Sequence, residues 1–154
     1  PVYKFIPKFK DMRVYVSGSG RNMRTEPLDR DPTILDLLTH TSGMTYSPNF
    51  GDATPVDMLV NTAGIPFMSY EEFEDHITSI PLLYQPGLKW HYSLSYDVLG
   101  LIMAKVTGQS PDVFMNERLF KPLGMKDTGF YVPEEKLGFF KKSFFEVGID
   151  FFRF

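Results

Sequence analysis

Tyr92, the serines Ser42, Ser93 and Ser95, and the histidines His40, His76 and His91 are the side chains of this sequence best suited to acid–base or nucleophilic work. A free phenol titrates near 10, so a tyrosine acts as a base at neutral pH only where a cation stabilises its phenolate. On the residues alone Tyr92 reads as an ordinary half-buried aromatic. A serine attacks only beside a base that takes its proton. Ser93 and Ser95 sit where a helix starts, and capping it is the better reading of both. His40 and Ser42 are two residues apart, but triad partners meet through the fold and not along the chain. Thr41 and Ser42 therefore read as turn and cap residues, and His40 as a hydrogen-bonded structural residue. The three histidines lack the spacing of metal ligands, so no metal and no cofactor is expected. Asp127-Thr128-Gly129 could share a proton only with a second such aspartate, and the sequence has none. Gly18-x-Gly20 has neither a third glycine nor a following Gly-Lys-Ser/Thr, and reads as a plain turn.

These residues need elements to hold them. Arg13-Val14-Tyr15-Val16 is a strand that stops at Ser17-Gly18-Ser19-Gly20. Thr33 to Asp36 has the form of a capping box, and Ile34, Leu37 and Leu38 give one apolar face, so a short helix is predicted from Thr33 to about Thr41, with Gly43 capping its end. Thr54-Pro55-Val56-Asp57 repeats that logic and predicts a helix ending near Gly64. Ser69-x-x-Glu72 opens a third helix, which carries Phe73, Ile77 and Ile80 inward and stops before Pro81. The strongest pattern runs from about Ser93 to Thr107. There Leu94, Val98, Leu101, Ile102 and Val106 share a stripe, and Gly108 follows. Ser110-Pro111 starts a last helix toward Phe120. A Pro86-Gly87 turn feeds Trp90-His91-Tyr92, which places Tyr92 just ahead of the strongest helix, where the dipole favours negative charge.

Composition narrows the classes further. With 154 residues, 43% hydrophobic and 23% charged, the chain is long enough and apolar enough for one globular domain. A net charge of −3 gives no electrostatic case for nucleic acid. No apolar run reaches membrane-spanning length, and the first residues do not form a signal peptide. Cysteine is absent, which leaves the compartment open. Residues 138–154 stand apart, with seven phenylalanines from Phe139 to Phe154. They read either as a terminal element docked on the core or as an end foreign to the rest.

Three blocks of residues carry a resemblance. They are Leu37-Leu38-Thr39-His40-Thr41-Ser42-Gly43, then Gln85-Pro86-Gly87 running into Trp90-His91-Tyr92-Ser93 and Asp97-Val98-Leu99-Gly100, then Pro122-Leu123-Gly124-Met125-Lys126-Asp127-Thr128-Gly129-Phe130. In order and spacing they resemble the serine β-lactamase and penicillin-binding-protein superfamily, on the branch of the class-C-like esterases. The resemblance covers residues 1 to about 137. It implies a mainly α chain, the helical region of an α/β fold with most of the sheet missing. It implies acyl transfer through a serine acyl-enzyme on carboxylic esters or β-lactams. Tyr92 would then be the catalytic proton relay, with Trp90 and Leu94 at the substrate.

The family's other motifs are Ser-x-x-Lys and a Lys-Thr-Gly or His-x-Gly strand. Neither occurs among these 154 residues. The resemblance places the first ahead of Pro1 and the second beyond residue 137, so the chain reads as an internal piece that is inactive alone. The competing expectation is a non-catalytic module that binds a ligand or partner through the exposed half-cleft. Leu94 stands where β-lactamases usually have asparagine and offers no hydrogen bond, which favours the esterase branch. Without its sheet the helical part is expected to expose apolar surface and to self-associate.

Overall fold

Among the described residues, the capping signals and apolar stripes of the sequence become four α-helices beside a small hairpin. The computed structural model describes residues 1–46, 53–60 and 64–134. The strands are β1 (Arg13–Ser17) and β2 (Arg24–Pro27), and the helices are α1 (Ile34–Leu38), α2 (Tyr70–Ser79), α3 (Ser95–Thr107) and α4 (Pro111–Met115). A π-helical turn, Asn116–Phe120, extends α4 to the predicted end. The predicted tail, residues 138–154, lies outside the described residues.

β1 and β2 pair antiparallel, with Val14 opposite Glu26 and a bulge between Tyr15 and Ser17. Gly18 makes the turn at φ +79. The other edge of β1 holds Leu82: Tyr15 N–H donates to Leu82 O at 2.8 Å, and Leu82 N–H donates to Arg13 O at 2.8 Å. Leu83 then turns away and donates to Gly43 O at 2.6 Å. The stretch around Leu82 thus ties the hairpin to the segment that follows α1.

Two capping boxes form as read. Thr33 caps α1, and Asp36 accepts from Thr33 N–H at 2.8 Å. Ser69 caps α2, and Glu72 accepts from Ser69 N–H at 2.7 Å. The inner face of α2 buries Phe73 and Ile77, and that of α3 buries Val98, Leu101 and Ile102. Lys105 of α3 pairs with Glu74 of α2 at 2.5 Å. Leu37, Val14, Phe9, Ile6 and Val2 complete the same core. Gly108 closes α3 in the left-handed conformation, at φ +69.

Three expectations are corrected. Over the described residues 53–60, the helix predicted from Thr54 to near Gly64 is a turn and one 3₁₀ turn, Asp57–Leu59, while residues 61–63 lie outside the described residues. Its capping box exists, with Thr54 N–H donating to Asp57 at 2.6 Å, and Val56 and Val60 are buried, but the chain is already extended at Val60 (φ −80, ψ 110), which ends the helical turn there. Leu38 is exposed because α1 is a single short turn that reaches the core through Leu37. Val106 is exposed because it falls about 90° from the centre of the α3 stripe at 100° per residue.

Gly43 does not cap α1, since the helix ends five residues earlier, but it is still required. Its φ is +85, and a Cβ there would lie 2.0 Å from Tyr84 O, a backbone atom. Gly43→Ala is expected to lose about 2–3 kcal/mol, measured by urea unfolding, because both the left-handed φ and the close approach oppose a side chain.

Candidate active site

The segment His40 to Thr45 runs beside the segment Leu83 to Leu94. Gly87 N–H donates to Thr41 O at 2.7 Å, His91 N–H to His40 O at 2.8 Å, and Leu94 N–H to Thr45 O at 3.2 Å. This lacing brings residues some fifty positions apart into one cluster, with Tyr92 at its rim, just ahead of α3.

His40 is the centre of that cluster. α1 ends in a Schellman arrangement: Thr41 N–H donates to Asp36 O at 2.8 Å and His40 N–H to Leu37 O at 3.3 Å. The residue just past the cap must be left-handed, and here it is His40, at φ +53. It is the one non-glycine residue with positive φ among the described residues. Glycine normally takes this place, and a side chain there costs about 1–2 kcal/mol. The imidazole stacks on Tyr92, with centroids 4.9 Å apart and planes at 29°. Tyr96 lies 4.9 Å away on a tilt, and Trp90 meets the ring edge-on at 6.3 Å. Nδ1 of His40 lies 3.3 Å from Ser93 Oγ. Burial holds the imidazole pKa below its ordinary value.

Tyr92 is 47% exposed, and its second ring neighbour is Tyr46 at 5.5 Å. Trp90 is 64% exposed and meets the His40 ring as well. The structure thus brings together two of the three predicted site residues. Leu94 is the exception. It is 2% exposed and belongs to the core, so as placed it offers a ligand no surface. It is the residue before α3, and there the chain turns inward so that its side chain packs under the helix.

The serines also depart from expectation. No side chain caps α3. Ser93 Oγ lies 2.7 Å from Ser95 Oγ, and Ser95 Oγ lies 2.9 Å from Ser42 Oγ. All three are buried, so the hydroxyls form a chain that starts at His40 and runs inward. Ser42 also accepts from Met44 N–H at 3.3 Å, which is the turn role read for it. A nearby network holds a second histidine, His91. Thr45 Oγ1 donates to Asp57 and lies 3.1 Å from His91 Nε2. Burial pushes the Asp57 carboxyl up, but the Thr45 hydroxyl and the Thr54 N–H and hydroxyl hold it below its ordinary value. Burial lowers the His91 pKa, opposed by the Asp57 charge. Among the described residues no three His, Asp or Glu side chains converge as a metal site would require.

Sequence reasoning missed the place of His40. The one signal it carried was position: a histidine two residues past a capped helix, where glycine is usual, followed by Thr41, Ser42 and Gly43.

The geometry thus sets a half-exposed phenol against an imidazole, just ahead of α3. The family model described as Beta-lactamase matches residues 1–138. The chain belongs to the beta-lactamase family. Over 136 residues it is 36% identical to esterase EstB of Burkholderia gladioli, which covers 87% of this chain and 32% of that protein. It is 35% identical over 109 residues to lovastatin esterase of Penicillium rubens, covering 68% of this chain and 27% of that protein. Among solved structures, unliganded simvastatin synthase (LovD) of Aspergillus terreus superposes with a TM-score of 0.63 at 27% identity, over 84% of this chain and 32% of that one. This member of the beta-lactamase family spans about a third of the length of the relatives it matches.

Proposed function

We propose that this chain is the helical part of a serine hydrolase that transfers acyl groups from carboxylic esters through a serine acyl-enzyme, with β-lactams as a second class of acyl donor. The observation that carries the reading is Tyr92: a half-exposed phenol at the start of α3, stacked on His40, in a chain similar to two named esterases. Tyr92 takes the proton of the attacking serine, passes it to the leaving alkoxide, and later takes a proton from the water that frees the enzyme. Trp90 walls the acyl site. Leu94 acts through the core packing ahead of α3 and contributes no hydrogen bond to substrate, which favours esters over β-lactam amides. The serine and lysine of the relay lie outside residues 1–154 on this reading, and the chain alone is inactive.

The test is incubation of the 154-residue chain with p-nitrophenyl acetate, followed by release of p-nitrophenol and by intact mass. The expected result is neither turnover above background nor an acetylated protein. An acetyl group on Ser42, Ser93 or Ser95 would overturn the reading and put a nucleophile inside this chain.

A second reading is a non-catalytic module that binds a ligand or partner. It is favoured by the exposure of Trp90, Tyr92 and Tyr96 around the half-cleft, with Leu35 and Leu38 exposed on α1. The same surface favours self-association. Sedimentation velocity at two concentrations is expected to show a mean mass that rises with concentration, and a constant monomer mass would count against it.

A further inference from the structure

We infer that His40 is a positioning residue for Tyr92, holding the phenol ring in one orientation. The inference rests on the reading of Tyr92 as a proton relay. A relay needs its oxygen held in one place, and the His40 ring lies nearer the Tyr92 ring than that of Tyr46 does, at 4.9 Å against 5.5 Å. Three independent contacts make His40 a fixed platform. Its carbonyl accepts from His91 N–H at 2.8 Å, which anchors its backbone to the residue next to Tyr92. Its Nδ1 is tethered to Ser93 Oγ, on the other side of Tyr92, and Ser93 is backed by buried Ser95 and Ser42. Its ring face then covers the Tyr92 ring at 4.9 Å, while Trp90 and Tyr96 brace it.

The backbone supplies the second argument. The Schellman turn after α1 needs a left-handed residue, and glycine would serve it without strain. The imidazole adds nothing to that turn, because the turn is made of backbone bonds. What the side chain adds is the stack on Tyr92 and the bond to Ser93. A strained non-glycine residue whose side chain meets the proposed relay is an outlier that points to function.

The experiment uses the 154-residue chain itself and needs no turnover. Aromatic and methyl NMR spectra are compared for the wild type, His40→Gly, His40→Asn and Ser93→Ala. Glycine and asparagine both accept the left-handed backbone, so both keep the turn while removing the ring. In the wild type, Tyr92 is expected to show one χ1 rotamer, ring protons displaced upfield and Overhauser contacts to His40. In His40→Gly and His40→Asn the displacement and the single rotamer are lost, while the methyl shifts of Val98 and Leu101 hold. Ser93→Ala, which unties the ring but leaves it in place, gives an intermediate displacement. A single Tyr92 rotamer in either His40 variant would overturn the inference. So would loss of the core methyl shifts in both, since His40 would then hold the fold and not the tyrosine. A failed Tyr92→Phe assay would remove the relay role and leave this ring measurement standing, so the two failures are told apart.

Discussion

Asp36→Ala is expected to destabilise the chain by about 2–4 kcal/mol. Asp36 is 6% exposed and accepts from both Arg30 guanidinium nitrogens at 2.7 Å, from Thr33 N–H at 2.8 Å and from Thr33 Oγ1 at 2.7 Å. Thr41 Oγ1 reaches it at 3.3 Å. One carboxylate therefore caps α1, pairs Arg30 and steadies the turn that sets His40. Burial pushes the Asp36 carboxyl up, and the Arg30 and Thr33 hydrogen bonds outweigh it, holding the pKa at about 2 against an ordinary 3.8. That difference stabilises the folded state by about 2.5 kcal/mol at neutral pH. The sign is that of a depressed acid: the contribution is complete above the ordinary carboxylate range and fades as pH falls toward 2. The Arg30 side chain is 44% exposed, so solvent screens part of the pair and the loss stays below that of a fully buried one. Urea unfolding of the wild type and Asp36→Ala at neutral pH and near pH 2.5 measures it. The gap between the two is expected to be largest at neutral pH and to narrow in acid. An equal gap at both would contradict the assignment.

Much of the fold was legible because its signals are local. The boxes at Thr33 and Ser69 each close within four residues, and the α3 stripe with Gly108 needs no distant partner. Thr54 shows where that logic ends. Its box forms and Val56 and Val60 are buried, yet Asp57 is also drawn to Thr45 and the chain is extended by Val60, so the helix does not propagate. The position of Tyr92 ahead of α3 was likewise within reach of sequence. The stack of His40 on Tyr92 was not, because those residues are brought together by backbone bonds across about fifty positions. For the same reason Ser93 and Ser95 were read as caps, when their hydroxyls are claimed by each other and by Ser42. Leu94 was placed at the substrate by its position in the motif. The turn into α3 sends it to the core instead.

The largest effect belongs to Tyr92→Phe. The variant keeps the ring, and so the stack on His40 and the contact with Tyr46, and removes one oxygen from a half-exposed position. Stability is expected to change by less than about 0.5 kcal/mol. Proton relay by a positioned side chain contributes about 10²–10⁴-fold, or about 3–5 kcal/mol of transition-state stabilisation. The effect can be read only where a nucleophile is supplied. The most direct measurement is therefore turnover of p-nitrophenyl acetate by a hybrid of esterase EstB in which residues 1–137 of this chain replace the matching third. An active hybrid that loses about 10²–10⁴-fold in kcat on Tyr92→Phe, with its thermal midpoint unchanged, is the result predicted. An active hybrid whose kcat stays within about threefold after the same substitution would contradict the relay.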